Sequence, residues 1–260
     1  MTNLLNKDTV KNIYDPTSKL VKTKMKIFPD GSKQLIVYDE PRIVRYGTNT
    51  SNSFSLDDFL TPEEIEDKRE YERKKKFFAC KTKIKDYVLC NEFTHFWNLT
   101  QDEKIVGDRF DDDIALSNLS SFLYASRRRA ERNNSKFNYL IIPERHKNGA
   151  LHFHGFTSGF VGDLVDSGCV WKGKTVFNCK QWKYGFSDVT EIIDKSKAAS
   201  YCTKYITKDL VNQGLGKNKK KYWSSRGLRE PEIVFSSEDL GKGHTASWSS
   251  DDGRICIYKL

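Results

Sequence analysis

The hydrophobic positions of this chain repeat with two different periods, and the changes between them outline its elements. Residues 150–156 (ALHFHGF) alternate with period two, which predicts a strand. Residues 137–143 (FNYLIIP) form a denser apolar run and residues 93–100 (FTHFWNLT) an aromatic one, and both also read as strands. The period becomes helical over residues 111–134, where Leu116, Leu119, Phe122 and Leu123 fall on one side. A helix start is written at Thr61: an N-cap, Pro62 at the first helical position, then Glu63 and Glu64 facing the positive end of the dipole. That helix is expected to run to about Cys90, and a further one over residues 194–210. Asp30-Gly31 within MKIFPDGSKQLIVYD predicts a β-hairpin, residues 169–182 a second, and residues 186–192 a short strand. Helices interleaved with hairpins imply an α+β domain with a mainly antiparallel sheet. We place that domain at residues 56–235, with an N-terminal appendage (1–55) and a C-terminal tail (236–260).

Composition narrows the partners. The chain has 260 residues, 37% hydrophobic and 30% charged, enough for one substantial core under a wet surface. No apolar run is long enough to span a membrane, and the first residues lack the pattern of a secretory signal. The net charge of +9 favours a polyanionic partner, nucleic acid being the usual one. The six cysteines, Cys80, Cys90, Cys169, Cys179, Cys202 and Cys256, show no CxxC spacing and read as reduced, mostly buried residues.

Two constellations carry candidate chemistry. His152 and His154 flank Phe153 on a predicted strand, so both imidazoles point to one face and Phe153 to the other. Glu144 ends the preceding strand, and residues 146–149 (HKNG) can turn the chain back to bring it close. Two imidazoles and a carboxylate make a candidate divalent-metal site with positions open to a phosphate and water. In the second constellation, YCTKYITK, Tyr201, Lys204, Tyr205 and Lys208 follow helical spacing, which would align two phenols and two ammonium groups. A tyrosine can attack a phosphodiester, and an adjacent cation can stabilise the developing charge.

Taken together, these segments resemble the HUH endonuclease superfamily, in the two-tyrosine form of bacterial and phage rolling-circle replication initiators. PERHKNGALHFHGF is similar to the His-hydrophobic-His motif, FTHFWNLT to the first motif, ASYCTKYITK to the tyrosine motif, and WSSRGLREP to a segment that follows it. The resemblance covers roughly residues 75–235. It implies a five-stranded, mainly antiparallel sheet of ferredoxin/RRM-like type with flanking helices. It implies that His152, His154 and Glu144 hold Mg²⁺ or Mn²⁺, that Tyr201 and Tyr205 are nucleophiles, and that Lys204 and Lys208 steady the scissile phosphate or the metal environment. The implied activity is site-specific nicking of single-stranded origin DNA through a 5′-phosphotyrosine, leaving a 3′-OH primer. Host helicase and polymerase are implied as partners, with no membrane or nucleotide cofactor, in the cytoplasm of a bacterial host.

Other signals weigh differently. Residues 168–175 (GCVWKGKT) satisfy the phosphate-loop pattern, but the β-like VFNCKQW follows where that loop needs a helix, so we expect a hairpin. The five tryptophans could include base-stacking platforms, packing being the default use. His95 and His146 read as supporting or structural residues. The rival functions are an HUH relaxase or transposase, in which relaxases generally place the tyrosine before the histidines, and a non-catalytic origin-binding factor.

Overall fold

A computed structural model describes residues 18–45, 61–159, 162–207, 210–211, 214–215 and 220–260. In chain order its strands and helices are β1 (Ser18–Ile27), β2 (Lys33–Arg45), α1 (Pro62–Cys90), β3 (His95–Gln101), α2 (Glu103–Val106), α3 (Asp112–Arg132), β4 (Phe137–Arg145), β5 (Leu151–Gly159), β6 (Leu164–Trp171), β7 (Lys174–Cys179), β8 (Gly185–Glu191), α4 (Lys195–Cys202), β9 (Trp223–Ser224), β10 (Glu232–Ser236), β11 (Trp248–Ser249) and β12 (Ile255–Lys259). The architecture is α+β, with two antiparallel sheets, neither of them closed. The chain divides into two units, Met1–Asp58 with Pro231–Leu260, and Phe59–Glu230.

The first unit holds a sheet of order β10-β1-β2-β12-β11. The Asp30-Gly31 turn joins β1 to β2 as its sequence predicts, with Gly31 at φ +83°. Val21, Leu35 and Val37 are buried in it. Buried Thr23 donates its hydroxyl to the Glu238 carbonyl at 2.7 Å and accepts from Leu240 N. The segments read separately as appendage and tail therefore contribute strands to one sheet.

The second unit is built on a sheet of order β6-β7-β8-β3-β5-β4-β9. The resemblance implied five strands; seven form because the β6–β7 hairpin joins β8 through Phe177 and Val189, and Trp223–Ser224 pairs outside β4. Period-two geometry gives each central strand two faces. On one, α3 packs Leu119, Phe122 and Leu123 against Trp97, Leu99, Ile141, Phe153 and Val189. On the other, Phe96, Leu140, Ile142 and Phe156 lie with Ile84 and Val88 of α1, and with Ala199 and Cys202 of α4.

The helix starts obey their sequence signals. Thr61 Oγ1 accepts from Glu64 N while Glu64 Oε2 accepts from Thr61 N at 2.8 Å, a complete capping box. Asp111 caps α3 and Asp194 caps α4. The helix expected over residues 194–210 is shorter, however. After Cys202 the chain tightens into a 3₁₀ turn, Thr203–Tyr205, and Ile206 is extended at φ −85°, ψ 104°. Thr203, Ile206 and Thr207 are β-branched, which weakens helix propagation, and Ile206 is pulled into the core at 2% exposure. The four-residue stripe thus ends at Tyr205, and Lys208 lies outside the described residues.

Candidate active site

The site lies on the α1/α4 face of the second sheet. The residue 146–149 turn forms as expected: His146 N donates to Ala150 O, Gly149 N to His146 O, and Gly149 takes φ +95°. The resulting β4–β5 register sets Glu144 opposite His152 and Ile142 opposite His154. Phe153 is fully buried on the opposite face, as the alternation requires.

Each imidazole has a partner on β3 that the sequence reading did not single out. His152 Nδ1 lies 2.7 Å from Thr100 Oγ1, and His154 Nδ1 lies 2.6 Å from Asn98 Oδ1. Both pairs are in direct register across the β3–β5 ladder. The signal was available: period two through FTHFWNLT puts Phe96, Asn98 and Thr100 on the histidine face. Burial, with neighbouring imidazoles adding to it, pushes both ring pKa values down to about 3, so both rings are neutral near pH 7.

This neutrality makes His154 informative. Its Nε2 lies 2.7 Å from Glu144 Oε2, so two acceptor oxygens flank one ring. A neutral imidazole carries one N–H and can donate to only one of them. If Nδ1–H donates to Asn98, the Nε2 lone pair faces a carboxylate, an arrangement that a cation between them would relieve. His152, with Nδ1 on Thr100, presents its own Nε2 in the same way. Neutral imidazoles oriented by hydrogen bonds at the other nitrogen, beside a carboxylate, are the donor set of a divalent-metal centre. As they stand, no group of three or more His, Cys, Asp or Glu among the described residues is spaced to hold a metal ion. Admitting one requires the Glu144–His154 contact to open.

The tyrosine turn covers these imidazoles. The Tyr205 ring stacks on His154 with centroids 3.4 Å apart, 15° from parallel. Tyr201 stands perpendicular to Tyr205 at 5.2 Å, and Phe96 lies beneath both, at 5.8 Å from Tyr201 and 6.4 Å from Tyr205. Burial raises the Tyr205 phenol pKa, and its hydrogen bond with Tyr201 raises it further. Lys204 is exposed, with Nζ 5.6 Å over the Tyr201 ring rather than at the imidazoles. The shortened helix therefore still brings together Tyr201, Tyr205, His152, His154 and Glu144.

The remaining candidates divide. His146 stacks against His152 at 4.6 Å. His95 occupies the opposite face of β3, alternating with Phe96, and contacts Thr94 Oγ1 at 2.9 Å. Trp97 and Trp182 are core residues and Trp223 packs beside them, whereas Trp171 and Trp248 are exposed. Residues 168–175 form a β-hairpin tip, with Lys172 and Gly173 both at positive φ. All six cysteines are free thiols. No helix among the described residues is long and apolar enough to cross a membrane.

No curated protein and no solved structure matches the chain. Its residues 94–210, a little under half of the chain and the span that holds every candidate site residue, match the family model of the replication-associated protein ORF2, a family of phage rolling-circle replication initiators.

Proposed function

We propose that this chain is a rolling-circle replication initiator that nicks and rejoins single-stranded origin DNA through a tyrosine. The observation that carries the reading is the stack of Tyr205 on His154, with Tyr201 against it. Two phenols over paired neutral imidazoles and a carboxylate suit phosphoryl transfer. The match to a replication-associated family supplies the biological context.

His152, His154 and Glu144 would hold the Mg²⁺ or Mn²⁺. A divalent ion bound there supplies Lewis-acid polarisation of the scissile phosphate. Thr100 and Asn98 fix the imidazole orientations from β3. A phenol oxygen of Tyr201 or Tyr205 attacks phosphorus and loses its proton, and the bond from phosphorus to the 3′ oxygen breaks. The DNA is left with a 5′-phosphotyrosine and a 3′-OH, whose oxygen takes up a proton. Because one phosphodiester is exchanged for another, no nucleotide is needed to drive rejoining. The second tyrosine, or the returning 3′-OH, resolves the adduct. Lys204, and Lys208 beyond the described residues, are proposed to balance phosphate charge. Host polymerase and helicase would extend and unwind from the nick, in a bacterial cytoplasm.

The test is incubation with single-stranded origin oligonucleotides in Mn²⁺ or EDTA, followed by denaturing gels. Metal-dependent covalent adducts are expected, lost in His154→Ala and altered in Tyr201→Phe and Tyr205→Phe. DNA binding without an adduct from any origin strand would overturn nicking in favour of a non-catalytic origin-binding factor.

A further inference from the structure

The hairpin that imitates a phosphate loop has a different use open to it. Its two-residue turn, Lys172–Gly173, takes φ +49° and +76°, the geometry of a tight hairpin turn. The turn holds Trp171 and Lys174 as a cross-strand pair at the tip. Trp171 is 42% exposed, and its ring lies 6.3 Å from that of Tyr201. Between this tip, the end of β8 and the start of α4 is a cleft of about 500 Å³. Phe96, Trp171, Ile193, Ala198 and Tyr201 supply its apolar walls. Ile193 is 79% exposed there, an apolar side chain left in water beside an exposed tryptophan.

The rim is cationic at three points. Lys172 Nζ sits 4.5 Å over the Trp171 ring, Lys174 Nζ donates to the Glu191 carbonyl at 2.8 Å, and Lys197 pairs with Asp194 at 3.2 Å. Glu191 and Asp194 share that rim, so the cleft interior suits a neutral group better than a bare phosphate. Flat aromatic walls, an aliphatic edge and lysines at the mouth match a base held by stacking while its backbone stays outside.

We infer that this cleft binds one nucleobase of single-stranded DNA, stacked on Trp171, next to the phosphodiester presented to Tyr201. The inference rests on the proposed function for its choice of polymer. Tyr201 is shared by both sites, so a base seated in the cleft fixes the register of the strand over the reacting phosphate. Trp171 is thereby a positioning residue for the nick.

The experiment measures fluorescence anisotropy of labelled dT₁₂, and of an abasic strand of equal length, in EDTA so that no nicking intervenes. Loss of one stacked base weakens binding by roughly 5- to 150-fold. Trp171→Ala should weaken dT₁₂ binding by that factor, Trp171→Phe should retain most of the affinity, and neither should change binding of the abasic strand. Ile193→Asp, at a solvent-exposed position that tolerates the change without unfolding, should also weaken dT₁₂. Equal affinities of wild type, Trp171→Ala and Ile193→Asp for dT₁₂ would overturn the inference, as would equal losses on both strands. The two readings fail separately. Metal-dependent adducts with no effect of Trp171→Ala on dT₁₂ would leave nicking and remove the base site; the expected losses in a protein that forms no adduct would do the reverse.

Discussion

Asn98→Ala isolates the contact on which the metal reading depends. The Asn98 side chain removed is the Nδ1 partner of His154, at 2.6 Å, and His154 is only 5% exposed. With Asn98 present, the ring can keep its one proton on Nδ1 and offer Nε2 as a lone pair beside Glu144. Without it, Nδ1–H faces an apolar methyl, and leaving such a donor unpaired costs about 1–3 kcal/mol. The ring escapes that cost by moving its proton to Nε2 and donating to Glu144, 2.7 Å away. That tautomer cannot bind a cation at Nε2. The penalty on metal affinity is therefore of the same size, corresponding to roughly a 10- to 100-fold loss. Mn²⁺ titration followed by electron paramagnetic resonance reads this directly. Asn98→Asp, which keeps the acceptor, should recover most of the affinity, while urea denaturation of the metal-free proteins checks that each variant folds. Wild-type Mn²⁺ affinity in Asn98→Ala, or no Mn²⁺ binding by the wild type, would refute the reasoning.

Three further outcomes are expected. Phe153→Ala empties a fully buried position between the histidines and should destabilise by about 3–5 kcal/mol in urea melts, with Phe153→Leu much milder. His152 and His154 have folded-state pKa values of about 3, against the ordinary imidazole value of 6.5, so between pH 6.5 and 3 the unfolded chain binds more protons. In EDTA the urea midpoint should fall from pH 7.5 to pH 5, and fall less in the double variant His152→Gln, His154→Gln; a fall of equal size in both would contradict the assignment. Tyr205 keeps its proton through burial and its bond to Tyr201, while Tyr201 borders the clefts next to the hairpin. Tyr201→Phe should accordingly abolish the first covalent adduct, and Tyr205→Phe should spare it and impair the second transfer; the reverse pattern on denaturing gels would overturn this order.

Much of this was legible because it rests on short-range geometry. Strand periodicity alone puts His152 and His154 together and Phe153 opposite, and the HKNG turn fixes which residue of β4 meets them. The Thr61 box and the Asp111 cap are likewise local. What escaped depended on long-range or competing terms. The end of α4 at Cys202 follows from β-branched residues and the burial of Ile206, against a tyrosine-lysine pattern that looked helical. The pairing of β1 with β10 joins segments more than two hundred residues apart, with no local signal for it. Asn98 and Thr100 were visible as polar residues in an aromatic strand, but their roles required the β3–β5 register.

The polarity of one sheet face explains why the site lies where it does. Along β5 that face reads His152, His154, Phe156, and along β4 it reads Leu140, Ile142, Glu144. Across β3 it reads Phe96, Asn98, Thr100. Phe156, Leu140 and Phe96 sit at one end of the antiparallel array, where α1 and α4 supply apolar cover. His152, Glu144 and Thr100 sit at the other end. There the helical cover gives way to the tyrosine turn, whose Tyr205 ring lies on His154. A buried polar group is tolerable only with a partner. Each polar residue at this end has one drawn from the same face: Thr100 for His152, Asn98 and Glu144 for His154. The early end of α4 is thus part of the site. A helix continued through residue 210 would carry Tyr205 away from its extended successor Ile206, which anchors the turn in the core. The same β-branched residues that shorten the helix therefore hold the second phenol over the imidazoles.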